Sequence, residues 1–99
     1  MIRRIVMMTL HSGSEALFLD IFEDVKLQIR SQKGCMGLEL LRSEKDGKPC
    51  LWTISTWASE TDLESYRNSD LFQKTWSTVK PLFSEKTQAW TLDPIESLS

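Results

Sequence analysis

The predicted elements follow the order β-α-β-β-α-β, which indicates an α+β domain of the ferredoxin-like kind. Two observations support this prediction: an amphipathic helix separates the first two strands, and an Asp-Gly pair joins the second strand to the third. We expect a four-stranded antiparallel sheet with the helices on one face. The 99 residues suffice for one domain spanning residues 1–99.

The first strand and the first helix are indicated by their patterns of apolar residues. Residues 2–10 mix β-branched and apolar types without a helical stripe and end at a His-Ser-Gly-Ser cluster. Ser12 or Ser14 can then cap a helix over residues 15–31, which Gly34 is expected to close. The apolar residues on one face of that helix are Leu17, Phe18, Ile21, Phe22, Val25 and Ile29.

The second and third strands are predicted at residues 35–43 and 50–57. They flank a polar segment that contains Asp46 and Gly47, and Asp-Gly between two such runs is a strong hairpin signal. The two strands are therefore expected to pair antiparallel, with the Asp-Gly dipeptide as the tip of the hairpin.

The two cysteines lie on this predicted hairpin. With the turn at the Asp-Gly pair, Cys50 opposes Ser43 and Cys35 opposes Ala58. The cysteines are then roughly 27 Å apart at about 3.4 Å per residue, which is too far for a disulfide. We expect free thiols, which fit a reducing compartment.

A second helical stretch begins at Ser59, which forms a start resembling a capping box with Asp62 three residues later. A break is expected at residues 68–70, where Ser69 or Asp70 can cap a new helix. The apolar residues at helical spacing in the later half are Phe72, Trp76, Val79 and Phe83. Residue spacing therefore predicts one interrupted helix, or two short ones.

Residues 85–92 alternate well enough to predict a fourth strand, and the tail after them is expected to fray. The first strand is apolar on both sides, with Ile5 and Met7 on one side and Val6, Met8 and Leu10 on the other. Helices cover only one face, and soluble monomers rarely expose a large apolar patch. We therefore predict a homodimer that pairs sheet to sheet. The alternative is a wet second face, which Glu39 and Arg4 favour.

Composition and charge exclude several classes of partner. The chain is 40% hydrophobic and 26% charged, with a net charge of -2 and Arg3-Arg4 as its only adjacent basic pair, so no nucleic-acid binding is expected. The apolar run at the start is too short for a signal sequence or a membrane span, and we expect a cytoplasmic protein. One histidine and two distant cysteines do not make a zinc site, and no phosphate-binding glycine loop occurs.

The stretch W-A-S-E-T-D-L-E-S-Y-R-N-S-D-L-F-Q-K, residues 57–74, resembles the signature region of the antibiotic biosynthesis monooxygenase family. In that family a Trp ends the third strand, a Ser-Glu cap opens the next helix and a Ser-x-x-Phe element follows. The resemblance implies a homodimeric α+β barrel with a pocket in each subunit between helices and sheet. It also implies oxidation of aromatic, polyketide-like substrates that themselves activate dioxygen, so that neither metal nor flavin is needed.

Haem-degrading members of the same family share much of this pattern. The resemblance places their haem-ligating His where Trp76 stands, their ring-distorting Trp where Tyr66 stands, and their strand-one Asn near Val6. All three residues differ here, and an indole cannot ligate iron. Haem degradation is therefore not expected.

Six side chains are candidates for a site. The candidate catalytic residues are Trp57, Tyr66 and His11. The candidate pocket residues are Phe72, Trp76 and Arg67. An indole N–H and a phenol can bind a substrate oxygen, and the only histidine is the default base. The plainer interpretation is core packing for the Trp and Phe side chains and solvent exposure for the others.

The resemblance favours a cofactor-independent monooxygenase that acts on a small aromatic or quinol-like compound. Two alternatives stay open: a non-catalytic, small-molecule-binding or stress-associated module built on the same dimer, and an isomerase-like or decarboxylase-like member of the family. Four Trp, four Phe and four Met supply an apolar pocket equally well for binding and for catalysis.

Overall fold

The computed structural model describes residues 1–99 and confirms the predicted α+β order, with the second helical stretch divided in two. The strands are β1 (Ile2–Thr9), β2 (Cys35–Lys45), β3 (Lys48–Trp57) and β4 (Gln88–Leu92). The helices are α1 (Glu15–Arg30), α2 (Glu60–Arg67) and α3 (Asp70–Val79). A short 3-10 turn that contains Pro81 follows α3. The last strand is shorter than expected. None of the helices has the length and apolar character of a membrane span.

The strands form one antiparallel sheet in the order β2-β3-β1-β4, as the ferredoxin-like prediction requires. Strand β1 pairs with β3 on one side and with β4 on the other. Because side chains alternate between faces, Val6 and Met8 point toward the helices and pack near Phe18 of α1. Ile5 and Met7 consequently point to the opposite face.

The turn between β2 and β3 consists of Asp46 and Gly47, as predicted. Both residues have positive φ angles, 52° and 78°. Two-residue turns of this type match the natural twist of the strands they join. The pairing of Ser43 with Cys50 follows from this turn and confirms the predicted register there.

The predicted register fails at the start of β2, where a β-bulge lies between Cys35 and Gly37. Cys35 pairs with Trp57, so the prediction that it opposes Ala58 is wrong by one residue. The backbone N–H of Ala58 instead donates to the carbonyl oxygen of Gly34 at 2.8 Å. Both cysteines are buried and free.

Serine side chains cap two of the three helices. The hydroxyl of Ser59 accepts a hydrogen bond from the backbone N–H of Asp62, and that of Ser69 accepts one from Phe72, each at 3.1 Å. These bonds confirm the predicted starts of α2 and α3. Ser14 occupies the same position before α1, but its side chain makes no capping hydrogen bond.

The apolar core on the helix-covered face consists of two separate clusters. The larger cluster contains Met8, Leu10, Phe18, Leu51 and Val79. The smaller cluster contains Ile2, Cys35, Trp57 and Leu63. Along β1 the two clusters are separated by Arg4 and Val6. A cavity lies in this interval.

The opposite face of the sheet carries a second apolar surface, called the open face below. Its apolar residues are Ile5, Met7, Leu41, Trp52, Ile54, Trp90 and Leu92. The rings of Trp52 and Trp90 stack with their centroids 6.4 Å apart, and Trp90 is 40% exposed. Glu39 lies on this face as expected. The expectation that Arg4 also wets it is wrong, because Arg4 alternates in phase with Val6 and lies on the helix-covered face.

Gly34 precedes Cys35 of the smaller cluster and lies against Asp62 of α2. Its φ is +81°. An added Cβ would overlap the Asp62 carboxylate and also the Cβ atom of Asp62, which no side-chain rotation can move away. Gly34→Ala therefore combines about 1–2 kcal/mol of left-handed backbone strain with about 1–3 kcal/mol of overpacking. We expect the free energy of unfolding in urea to fall by about 2–5 kcal/mol.

The matched control for this substitution is Gly47→Ala. Gly47 also has a positive φ, +78°, but nothing lies within 4 Å of the added Cβ. The expected loss is about 1–2 kcal/mol, from backbone strain alone. Equal losses in the two variants would show that Asp62 does not restrict Gly34.

Candidate functional site

A cavity of about 290 Å³ lies between the helices and the sheet, in the interval between the two core clusters. All four strands and all three helices contribute to its lining, which is mostly apolar. The volume is at the lower end of the range for small-molecule sites, roughly 300–1,000 Å³. The cavity is therefore a feature of the whole fold and suits a small ligand.

Aromatic and aliphatic side chains of α1 and α3 form the apolar walls. Phe18 and Phe22 come from α1, and Phe72 and Trp76 come from α3. The rings of Phe72 and Trp76 are 5.8 Å apart and nearly parallel, with 8° between their planes. The sequence predicts both Phe72 and Trp76 as pocket residues, and both lie on this cavity. Flat apolar walls favour a flat aromatic ligand.

Five aromatic rings form a continuous row along the helix layer, called the aromatic ladder below. In order they are Trp57, Tyr66, Phe72, Trp76 and Phe83. Successive centroids lie 5.1, 5.3, 5.8 and 5.4 Å apart. Aromatic pairs of this kind contribute about 0.5–1.5 kcal/mol each beyond the area they bury. The ladder runs from the smaller core cluster to the larger one and so holds α2 and α3 over the cavity.

Trp57, a candidate donor to the substrate, does not line the cavity. Its side chain is fully buried, and its indole N–H donates to the hydroxyl oxygen of Ser55 at 2.9 Å. Ser55 does line the cavity, and its hydroxyl makes no other hydrogen bond within the chain. The hydroxyl hydrogen of Ser55 is thus free to bind a ligand. The only sequence signal for Ser55 is its alternation with Trp57 along β3.

Tyr66 lies on the cavity between Trp57 and Phe72. No hydrogen-bond partner for its hydroxyl exists within the chain. Burial raises the pKa of Tyr66 to about 12, and the neighbouring Cys35 adds to the rise. The phenol is therefore protonated at neutral pH, where it donates a hydrogen bond and cannot serve as a base.

Arg4 is a cavity residue that was not a candidate from the sequence. It lies on β1 directly between Ser55 of β3 and Thr91 of β4. Its Nη1 donates to the Thr91 hydroxyl oxygen at 2.9 Å. The alternation of β1, which places Arg4 on the same face as Val6, is the signal that identifies it.

Arg67 lies at the same end of the cavity as Arg4 and forms a long ion pair with Glu64, 3.4 Å between nitrogen and oxygen. Burial lowers the pKa of Arg4 below its ordinary value, the positive charge of Arg67 lowers it further, and Glu64 partly opposes both effects. The side chains of Arg4, Ser55, Tyr66 and Arg67 are called the polar end of the cavity below. All four can donate hydrogen bonds to a ligand.

His11, the candidate base, lies on the exposed turn between β1 and α1 and does not line the cavity. Its backbone N–H donates to the carbonyl oxygen of Leu82 at 2.9 Å. No His, Asp, Glu, Lys or Cys side chain lines the cavity. The site consequently contains donors and positive charges but no base for neutral pH.

Sequence comparison matches most of the chain to one family. The family model described as antibiotic biosynthesis monooxygenase matches residues 1–76. This range covers the first three strands and includes all four side chains of the polar end. No curated protein sequence gives a significant match.

Solved structures are similar over nearly the full chain. A protein described as an antibiotic biosynthesis monooxygenase superimposes with a TM-score of 0.85 at 14% identity, covering 97% of this chain and 100% of the other. A mutant of SnoaB, a cofactor-independent oxygenase from Streptomyces nogalater, gives 0.83 at 15% identity, covering 98% and 95%. Rv0793 from Mycobacterium tuberculosis gives 0.81 at 17% identity, covering 99% and 98%. At these identities the likeness shows the fold.

Tyr66 is the only tyrosine of the chain, so the ultraviolet absorbance of tyrosinate reports this residue alone. We expect a titration midpoint near pH 12 in the native protein and about pH 10 in denaturant. The native state keeps this proton where the unfolded state has lost it. Stability should therefore fall as the pH rises from about 10 to about 12. Tyr66→Phe should abolish the absorbance change, and a native midpoint near pH 10 would show that the phenol is solvated.

Proposed function

The chain belongs to the antibiotic biosynthesis monooxygenase family, and on that premise we propose that it is a cofactor-independent monooxygenase acting on a small aromatic or quinol-like compound. The observation that supports this proposal is the cavity, whose walls suit a flat ring system and whose polar end consists of donors. A preorganised set of donors stabilises a negative charge on the substrate. In this chemistry the substrate anion is the species that reacts with dioxygen.

The proposed reaction begins when a ring CH₂ next to a carbonyl, or a phenol, loses its proton. Tyr66 and Ser55 lower the pKa of such a group because hydrogen bonds donated to its ionised form stabilise that form. The resulting enolate or phenolate gives electrons to dioxygen. One oxygen atom is retained as a new carbonyl and the other leaves as water. For a ring CH₂ the balance is CH₂ + O₂ → C=O + H₂O, so no external reductant is required.

Each part of the site has a role in this sequence of steps. The aromatic walls exclude water from the anion, so that the donors act in a medium of low dielectric constant. Tyr66 and Ser55 each offer one hydrogen bond to the oxygen on which negative charge develops. The departing proton passes to solvent at the polar end, where the Arg67 side chain is 41% exposed.

A second function is favoured by one observation, the lack of a base in the cavity. A site with donors alone can bind a small aromatic anion without transforming it. On this reading the protein is a binding module built on the same scaffold. Oxygen consumption separates the two functions.

We further propose that two copies of the chain associate through the open face, forming a homodimer. The centre of the open face is apolar, while Arg3 and Glu39 carry opposite charges on the same face. A two-fold axis brings one patch against its copy, so these opposite charges can pair across the interface. A chain of this size also buries limited apolar area by itself, and association adds to it.

The proposal extends to location in the cytoplasm. Cys35 and Cys50 are buried, free and attached to opposite ends of the β2-β3 hairpin. Disulfides are rare in the reducing cytosol and common in oxidising compartments. Two free thiols held apart in this way support the proposed location in the reducing cytoplasm.

Oxygen uptake with dihydroxyanthracene and naphthol as probes tests the proposed activity. We expect uptake above the autoxidation of the probe alone. Tyr66→Phe removes one donor while keeping the ring, and we expect it to lower the rate at least about tenfold. Ser65→Ala removes a hydroxyl from the neighbouring exposed position and should leave the rate within about twofold. Absence of uptake with every probe, or an unchanged rate in Tyr66→Phe, would contradict the proposed role.

Light scattering at micromolar concentration tests the proposed dimer. We expect about twice the mass of one chain for the parent protein. Ile54→Asp places a charge in the middle of the open face and should yield a folded monomer, because desolvating an unpaired carboxylate is costly. Leu27→Asp is the matched control: Leu27 is 72% exposed on α1, away from that face, and the variant should remain dimeric. A monomeric parent would refute the pairing.

A further inference from the structure

We propose that the ligand of the cavity is an aromatic carboxylate whose carboxylate group binds Arg4 and Arg67. This inference rests on the proposed function and narrows its substrate class from small aromatic or quinol-like compounds to aromatic acids. Arg4 becomes the residue that selects the charge of the ligand.

The first supporting observation is that Arg4 has no acidic partner. The ion pairs of the chain join Lys26 to Glu23, Arg42 to Glu15, Lys45 to Glu85 and Arg67 to Glu64. The one side-chain hydrogen bond of Arg4 goes to a neutral hydroxyl, that of Thr91. Its guanidinium carries five N–H donors, so most of them have no partner within the chain. A partly buried arginine in this state is ready to bind an anion.

The second observation is that Arg4 and Arg67 both line the cavity and lie close enough to repel each other. Burial lowers the pKa of Arg4, and the adjacent positive charge of Arg67 lowers it further. Both effects mean that the surroundings destabilise the guanidinium charge. A ligand carboxylate between the two side chains reverses the sign of the interaction, because each guanidinium then faces a negative group.

The charge balance of the polar end favours a single negative charge on the ligand. Arg4 and Arg67 contribute two positive charges, and Glu64 contributes one negative charge at the same end. One carboxylate neutralises the remainder, whereas a phosphate dianion would leave a net negative charge. The planar fork of arginine also matches the two oxygens of a carboxylate.

The position of Arg4 relative to the apolar walls fits an acid with two fused rings. Arg4 and Met8 are four residues apart on β1, so their Cα atoms are about 13 Å apart along the strand at roughly 3.3 Å per residue. Met8 belongs to the larger core cluster, against which Phe22 and Trp76 pack. A carboxylate at Arg4 therefore places its ring system against the aromatic wall.

Isothermal titration calorimetry of the full chain with naphthoate and with naphthylmethanol tests the proposal. The two probes share their rings and differ in charge. We expect naphthoate to bind at least tenfold more tightly, equivalent to about 1.4 kcal/mol. In Arg4→Met this preference should fall to within about threefold, because the substitution removes the charge and keeps the apolar stem. Lys33→Met removes the same charge from an exposed loop and should keep the full preference.

Two outcomes would overturn the assignment. Equal binding of naphthoate and naphthylmethanol by the parent protein would remove the role of charge, and this comparison holds even if Arg4→Met does not fold. Tighter binding of naphthyl phosphate than of naphthoate would replace the carboxylate with a phosphate. The oxygenase proposal can fail separately from the ligand proposal. A preference for naphthoate that depends on Arg4, without oxygen uptake, refutes only the oxygenase proposal. Oxygen uptake without this preference refutes only the proposed ligand class.

Discussion

The stacking of Trp57 on Tyr66 is the contact on which the arrangement of the site depends. Trp57 is fixed in the sheet by its pairing with Ile2 and Cys35, and it is fully buried. Its ring is the first of the aromatic ladder and stacks on Tyr66, so that the ladder holds α2 and α3 over the cavity. Without that support the helices would close onto the sheet and fill the cavity, because apolar surfaces favour close packing. The same indole also orients Ser55, so one residue shapes both the wall and the polar end.

The fold could be predicted from the sequence because its signals are local. The Asp-Gly turn fixes the register of its hairpin through two backbone angles, and Ser59 and Ser69 each start a helix with one hydrogen bond. The bulge at the start of β2 could not be predicted in this way. It depends on how Gly34 meets Ala58 and Asp62, which are distant in sequence. A bulge leaves no pattern in one strand read alone.

The candidate site was predictable on the helices α2 and α3 and unpredictable where strands meet. Phe72 and Trp76 lie one turn apart on α3, and their spacing is enough to group them. Tyr66 lies on α2, and only the family resemblance places it near the pocket. Arg4 acquires its role only through the pairing of β1 with β3 and β4, which brings Ser55 and Thr91 beside it. The indole N–H of Trp57 makes it a candidate donor from the sequence. The partner of that N–H lies two residues away on the same strand, and sequence spacing gives no geometry for such a bond.

The central position of β1 affects how the protein is made. β1 leaves the ribosome before both of its neighbours, since β3 begins only at Lys48 and β4 at Gln88. At about 5–20 residues per second, the nascent strand waits on the order of ten seconds for its second neighbour. Arg4 acquires its Thr91 partner only after β4 has been synthesised. The candidate site is therefore assembled only after β4 has been synthesised and has paired with β1.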